Sequence, residues 1–436
     1  MNFKILNIFN SAKIKNSMWM ILEKIVSIFG VIFVTSFVAK YIGPDNFGKL
    51  TLTSSIFAII QTVAMFGLEN IIFHQTARNP LNGEKLILAG KKIRDIIFFS
   101  LTSAVLFYLY VTMDTLVFIF SVSTSIAVYF ALHDVYSIYF NAILKSRVNT
   151  ICNSIGLIIA LSFRYVIAEF ELNVEYLSIP IILTTFVPYL LRSRIYKKRS
   201  KLDKKNISIK VIKKYRIYML GVGRKLLLYS LSVAIFTKTS QIFLGWQSTY
   251  ELGLYTVVST LGGCFYFLYN ALISSFMSEI YQERSILTSQ KMVAKLNLII
   301  ILIGLLFLIL TLFFGSWVLN ILYGEQYLSV SQYLPLTVLT CVFSGIATVV
   351  EKFIIKFQDY SFLQKKTNIL LVINITLTFF LVNNFGLKGA IYSVLLTELI
   401  TATLLNYFYK SGFIWKTHLK TFSPSTYTKQ KENLKS

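Results

Sequence analysis

Histidine, cysteine and charge are all scarce in this chain. The three histidines, His74, His133 and His418, lie far apart and make no HExxH or other metal-ligand spacing. No GxxxxGK run followed by Ser or Thr occurs, so the chain carries no nucleotide motor of its own. Gly221-Val222-Gly223 is a lone glycine pair and means little. The cysteines Cys152, Cys264 and Cys341 stand singly inside apolar segments; they read as helix-packing residues, and no disulfide is expected. Charged residues make up 14% of the chain, against about a quarter in a soluble domain. Such a composition excludes an ordinary water-soluble domain. The first apolar run is followed by no A-x-A-like cleavage site and reads as a retained span.

What the chain has instead is long apolar runs. Hydrophobic residues are 55% of the sequence, and the mean hydropathy is +0.66. A run of about 20 apolar residues crosses a bilayer core. About twelve such runs are legible, near 18–41, 50–72, 95–113, 117–140, 149–168, 177–191, 226–246, 252–277, 296–321, 332–353, 367–384 and 390–409. The gaps between them alternate in charge. Even-numbered gaps are basic: Arg78, Lys85, Lys91, Lys92 and Arg94; then Lys145 and Arg147; then the dense run from Arg192 to Lys225; then Arg284 and Lys291; then Lys356, Lys365 and Lys366. Odd-numbered gaps carry Asp114, or Glu169, Glu171 and Glu175, or Glu251, or Glu325, and no basic cluster. Because Lys and Arg accumulate on the cytoplasmic side, both termini are expected there. The formal charge of +24 then reflects retention beside an anionic leaflet, and no nucleic-acid partner is implied.

The basic stretch 192–225 divides the chain into two sets of six spans. The expected organisation is an N-terminal bundle over 1–191, a solvated or interfacial cytoplasmic linker over 192–225, a C-terminal bundle over 226–412 and a cytoplasmic tail over 413–436. The fold class is an all-α membrane protein of twelve transmembrane helices, in two six-helix bundles around a central cavity. A weak echo links the halves: Asn46-Phe47-Gly48-Lys49-Leu50-Thr51 follows the first span and Glu251-Leu252-Gly253-Leu254-Tyr255-Thr256 follows the seventh. Glycine-containing turns are common, so chance explains the echo as well as repetition does. Parallel repeats of this kind would handle substrate between them.

Several patches resemble the Wzx-type polysaccharide repeat-unit flippases. Val38-Ala39-Lys40-Tyr41-Ile42-Gly43-Pro44-Asp45-Asn46-Phe47-Gly48-Lys49-Leu50 is similar to the first-hairpin signature of that family. Thr237-Lys238-Thr239-Ser240-Gln241-Ile242-Phe243-Leu244-Gly245, with Glu251-Leu252-Gly253-Leu254-Tyr255 after it, resembles the opening of its second half. Trp317 through Tyr327 is similar to its outer turn after the ninth span, and Gly386-Leu387-Lys388-Gly389-Ala390 running on to Thr397-Glu398 to its twelfth. Ser240 stands where such proteins often carry an aspartate, a departure that puts any acidic role in the seventh span in doubt. The resemblance implies the polysaccharide branch of the multidrug/oligosaccharidyl-lipid/polysaccharide exporter superfamily. It implies a bacterial cytoplasmic (inner) membrane, a cargo of undecaprenyl-diphosphate-linked oligosaccharide for O-antigen or capsule synthesis, and a polysaccharide polymerase and other assembly proteins as partners beside membrane lipid. It supplies no catalytic motif, cofactor or metal.

Such a cargo is amphiphilic, and drawing its diphosphate and sugars through hydrocarbon unshielded is prohibitive. Cationic side chains in a polar cavity would replace water around the diphosphate, and ionisable residues at membrane depth are functional candidates by default. Lys238 leads, at about 12 Å from the nearer end of its span by helical rise. Ala234, Lys238, Gln241 and Gly245 make a small or polar stripe on one helix face, and Arg224 lies on the same line below Leu227 and Leu231. The alternatives for Lys238 are a packing lysine paired with a carboxylate, or a span whose boundary lies elsewhere. Lys24, beside Glu23, and Arg164 are further cations of the substrate-binding set; both lie close enough to a boundary to snorkel instead. Glu398, one turn from Thr401, and Asp134 are the candidates for ion coupling. Glu398 reads equally as half of a structural ion pair, and Asp134, on a face with Ser137, Asn141 and Lys145, as an ordinary polar helix end.

Tyr129, Tyr136 and Tyr139 suit packing or an interfacial belt better than stacking on sugar rings, and Trp19, Trp246 and Trp317 suit the belt. Lys352 beside Glu351 reads as an interfacial anchor. Pro180 and Pro188 would kink or end the sixth span, while Pro335 near the start of the tenth is tolerated. The expected function is a flippase rather than an enzyme. A cation-coupled multidrug exporter on the same fold is the alternative, and would need carboxylates to outnumber cations in the cavity. A membrane polysaccharide polymerase is disfavoured because the external gaps are short.

Overall fold

Backbone N–H and C=O groups in hydrocarbon must pair within their own segment, so apolar runs of this length fold as helices. The computed structural model describes residues 12–200 and 208–426, and in the first helix it describes side chains chiefly from Thr35 onward. Those residues are helical throughout, with no strand among them. Among the described residues, ten segments are long and apolar enough to cross a membrane. Two of them are broken internally. Helix α1 (Ala12–Met65) contains Gly43 at φ 77 followed by Pro44, and the C-terminal Tyr360–Ala402 helix contains Gly386 at φ 52. Both glycines sit where hydropathy ends one span and begins the next. Positive φ suits a residue without a Cβ, and at each of these glycines two helices meet across a kink.

Packing divides the chain into Met1–Gly253 and Leu254–Ser436. In the first unit, α1 is followed by α2 (Leu68–Arg78), α3 (Pro80–Thr112), α4 (Thr115–His133), α5 (Tyr136–Ala142), α6 (Ser146–Glu169), α7 (Ser178–Arg199) and α8 (Ile209–Gln247). Helix α1 packs on α3, α4, α6 and α8, while α7 lies against α4 and α6. One apolar cluster gathers Phe57, Ile60, Ala64, Phe98 and Leu132. A second gathers Leu68, Ile72, Leu86, Phe140 and Met219. In the second unit lie most of α9 (Thr249–Gly263), then α10 (Tyr266–Gln282), α11 (Ile286–Tyr323), α12 (Leu334–Lys356), α13 (Tyr360–Ala402), α14 (Leu404–Tyr407) and α15 (Phe413–Thr421). Its core runs through Phe265, Tyr269, Ile300, Val338, Val342 and Phe353. Pro335 falls in the first turn of α12, where a missing N–H leaves nothing unpaired.

The structure differs from the sequence reading in four places. The packing division falls after Gly253, because α8 lies on α1, α3 and α2. The basic run also begins inside a helix, since α7 continues through Arg199 and Arg192 is only 2% exposed. Residues 201–207 lie outside the described residues, but Ile209 onward is the same helix as the seventh span. Its first half docks on α3: the Tyr215 hydroxyl donates to Asn82 Oδ1 at 3.0 Å and Arg216 Nε to the Ala89 carbonyl at 3.2 Å. That half is partly sheltered against α3, as the interfacial form of the expected linker would be. The second span ends at Met65, where Phe66 and Gly67 turn with φ 53 and 66. Finally, α4 stops at His133, so Asp134, Ser137, Asn141 and Lys145 share no continuous helix face.

The echoed turns meet. A Cβ on Gly48 would overlap the Thr249 carbonyl and crowd Gly253 N, and a Cβ on Gly253 would overlap the Pro44 carbonyl and crowd Gly48 N. The contact is reciprocal, which is why glycine stands at both positions. Thr249 Oγ1 also donates to Asp45, and Lys49 bridges Asp45 at 3.0 Å and Asp114 at 2.5 Å. Asp114 caps α4 through the Val117 amide at 3.0 Å. Partial burial would push its carboxyl up, but the Lys49 and Val117 hydrogen bonds and the Lys49 charge hold it below the ordinary value.

Candidate functional site

Helix α8 carries Lys238 inside the segment Leu226–Gln247, which is apolar enough to span. Its ammonium donates to Gln241 Oε1 at 2.9 Å, one turn along the helix. The same oxygen accepts from Ser55 Oγ of α1 at 2.7 Å. Among the described residues no carboxylate lies within 4 Å of Lys238. The carboxylate-paired packing lysine is therefore not what this site contains. A half-buried lysine held by one amide oxygen keeps two N–H groups for a further acceptor. The predicted pair Lys238 and Gln241 is brought together, with Ser55 as a partner that hydropathy alone could not supply.

The other predicted cations are not gathered there. Arg224 shares α8 but is exposed, about 21 Å from Lys238 along the axis by helical rise. Arg164 sits on α6, partly buried, with no carboxylate within 4 Å among the described residues. The side chain of Lys24 lies outside the described residues.

Asp134 has an explicit partner: Arg192 donates to its Oδ2 and, with its other terminal nitrogen, to Asn153. Arg192 belongs to the basic run by sequence, so the pairing is invisible to a count of charges. Asp134 Oδ1 and Arg192 Nε remain buried without a hydrogen-bond partner. Nearby charge is also deeply placed. Arg94 is 1% exposed with Nε and Nη1 unpartnered, and Asp95 Oδ1 lies 2.8 Å from His133 Nε2, accepting its hydrogen in the tautomer protonated there. Glu84, 2% exposed, takes hydrogen bonds from Tyr139 at 3.0 Å and Ser200 at 2.7 Å. Tyr129 packs on His133 with ring centroids 4.3 Å apart and Tyr136 on Tyr196 at 4.5 Å. These tyrosines are packing residues. The run Arg78–Arg94, expected as a gap, is helical apart from Asn79, and its charged members Glu84 and Arg94 are buried.

In the second unit, Glu398 of α13 lines a cavity of about 290 Å³ with Tyr255, Ser259, Tyr266, Thr340 and Ser344. The Ser344 hydroxyl is its hydrogen-bonding neighbour and Lys366 its charged one. Lys366 is 6% exposed and also senses Glu351. Tyr266 and Thr348 share a hydrogen bond of 2.7 Å in the same network. The group is a carboxylate among hydroxyls with a cation near but not within 4 Å among the described residues. That chemistry suits a bound proton or a small hard cation, which takes oxygen ligands. No cluster of three His, Cys, Asp or Glu able to hold a metal occurs among the described residues.

No protein-family model matches the chain. A capsular polysaccharide biosynthesis protein, CapF of Staphylococcus aureus, is 25% identical over 173 residues, which is 38% of this chain and 42% of that protein. The match thus spans less than half of that relative. Among solved structures, the lipid II flippase MurJ in an inward closed conformation superposes with a TM-score of 0.70 at 15% identity, covering 94% of this chain and 91% of that one. An inward-facing multidrug resistance transporter of the MATE family gives 0.62 at 16% identity over 91% and 96%. A MOP superfamily transporter from Pyrococcus furiosus gives 0.54 at 14% over 96% of each. The chain is a multi-pass membrane protein with the fold these flippases and multidrug transporters share, and the resemblance to Wzx-type flippases in its sequence fits that fold.

Proposed function

We propose that this protein is a flippase that carries an undecaprenyl-diphosphate-linked oligosaccharide from the cytoplasmic to the outer leaflet of a bacterial inner membrane. The observation that carries the reading is Lys238: a cation at membrane depth whose polar neighbours are Gln241 and Ser55 rather than a carboxylate. Lysine and arginine both bind phosphate, and a lysine not already neutralised is free to do so. Arg164 is a second membrane-depth cation of the proposed path. The fold shared with MurJ and MATE transporters and the partial similarity to CapF support transport and point toward surface polysaccharide. In this reading the chain has twelve spans in two six-helix bundles, both termini in the cytoplasm, and a polymerase or ligase acting on its product outside. It forms no glycosidic bond itself. Glu398 and its hydroxyl neighbours bind the coupling cation or proton.

The Glu398 cavity is also what a cation-coupled multidrug exporter would need, and it keeps that reading as the alternative. Deleting the gene and analysing lipid-linked sugars separates the two. The flippase reading expects an undecaprenyl-diphosphate oligosaccharide to accumulate on the cytoplasmic leaflet while surface polymer is lost. Unchanged polymer with increased sensitivity to cationic drugs would reverse the assignment.

A further inference from the structure

A second cavity, of about 330 Å³, lies in the Leu254–Ser436 unit among α11, α12, the end of α13, α14 and α15. Its long wall is apolar, with Ile301, Leu305, Leu308, Leu339, Phe343 and Ile346. One end is polar: Asn297 of α11, Thr403 before α14, Tyr407 of α14 and His418 of α15. Asn297 is 1% exposed, and neither its Nδ2 nor its Oδ1 has a hydrogen-bond partner. His418 Nδ1 is engaged with the Tyr407 hydroxyl at 3.2 Å, while Nε2 is buried and unpartnered. An amide buried with both atoms unpaired costs a few kcal/mol if nothing fills the gap. No side chain lining the cavity is acidic, and none is Lys or Arg. Burial pushes the His418 imidazole down to about 4, so that end is uncharged at neutral pH.

The cavity is directional. From Asn297 to Leu308 it runs about 16 Å along α11 by helical rise. Leu305 is 47% exposed on a face that also shows Leu302, Leu306 and Leu312, so the apolar wall opens on the lipid-facing side. The polar end lies toward the helix start, close to Lys291 and Lys420 (the latter bonded to Gln290), where a basic interface begins. A membrane amphiphile has this order: an uncharged linkage near the interface and a chain running toward the bilayer centre. The volume sits at the lower end of the range for small-molecule sites, roughly 300–1,000 Å³.

We propose that this cavity binds one lipid chain that carries a neutral hydrogen-bonding group, with Asn297 and His418 reading the group and the α11–α12 wall holding the chain. A polyprenyl alcohol and a glyceride ester both have that chemistry. The site shares no lining residue with the Glu398 cavity, and it does not depend on the transport reading.

The test uses the full-length protein in detergent and a photoactivatable prenol bearing a diazirine on its chain. Cross-links mapped by mass spectrometry should fall on α11, α12 or α15. A long-chain alcohol should compete on the order of ten times better than the matching hydrocarbon without a hydroxyl, the worth of about one hydrogen bond. Asn297→Leu should remove that preference but keep chain binding, and Leu308→Trp, which fills the wall, should remove both. Competition by a monoacylglycerol but not a prenol assigns the site to membrane glycerides; the reverse assigns it to prenols. Cross-links outside these helices would overturn the proposal. So would equal competition by alcohol and hydrocarbon, or a cavity that holds only water and no probe at saturation.

Discussion

Asp134 and Arg192 show what a single residue can and cannot reveal in sequence. Counting Lys and Arg gives only an expected sidedness for a gap, and it does not show that Arg192 is buried against Asp134 and Asn153 or that Arg94 is buried with two nitrogens unpartnered. Neither burial leaves a trace in composition. Removing one member of a buried ion pair strands the other and costs about 3–5 kcal/mol, whereas removing both is often nearly neutral. Arg192→Met should therefore destabilise the protein by that amount, and Arg192→Met with Asp134→Asn should recover most of it. Thermal unfolding in detergent gives both values. A double variant as unstable as the single one would return Asp134 to an ion-handling role. His418 gives a pH dependence of known sign. Its ordinary pKa is about 6.5 and burial pushes it to about 4 in the fold. Between those values the unfolded chain binds more protons, so stability rises with pH there and falls on acidification. The wild type should lose thermal midpoint from pH 6.5 to 4 more steeply than His418→Gln; equal slopes would show that His418 is not buried neutral.

At the scale of elements, hydropathy located the apolar segments because their length is dictated by the bilayer. It missed breaks that no breaker residue marks. Ala131-Leu132-His133-Asp134-Val135-Tyr136 contains neither Gly nor Pro, yet α4 ends within it. It also left the 209–225 stretch as linker, since an amphipathic helix docked on α3 carries too many charges to look like a span. The Gly48 and Gly253 turns were matched in sequence by position; that they touch needed coordinates. Because each Cβ would strike backbone rather than a movable side chain, Gly48→Ala or Gly253→Ala should cost at least about 1–3 kcal/mol by overpacking. Gly221, with nothing within 4 Å of its Cβ position, is the control: Gly221→Ala should be neutral or stabilising by up to about 1 kcal/mol. Melting curves of the three variants decide it, and an unaffected Gly48→Ala would mean the turns do not meet.

For the whole molecule, the charge alternation fixes an expected topology that packing alone does not address. Reporter fusions at Lys198 and Ser425 should read as cytoplasmic, and fusions at Asp114 and Glu251 as external. A cytoplasmic Glu251 would break the scheme of two six-span bundles. Function is less legible than fold because it rests on a few polar groups among many apolar ones. Lys238 was visible as a charge inside an apolar run, but the oxygen that holds it and the missing carboxylate were not. In the proposed function this ammonium shields the diphosphate of a lipid-linked sugar. Export of surface polysaccharide per molecule of membrane-inserted protein, compared for wild type, Lys238→Ala and Lys238→Arg, tests it most directly. A hydrogen bond to a charged group is worth roughly 1.5–3 kcal/mol, so Lys238→Ala should lose export at least about tenfold at unchanged abundance, and Lys238→Arg should keep part of it. Normal export per molecule from Lys238→Ala would contradict the account.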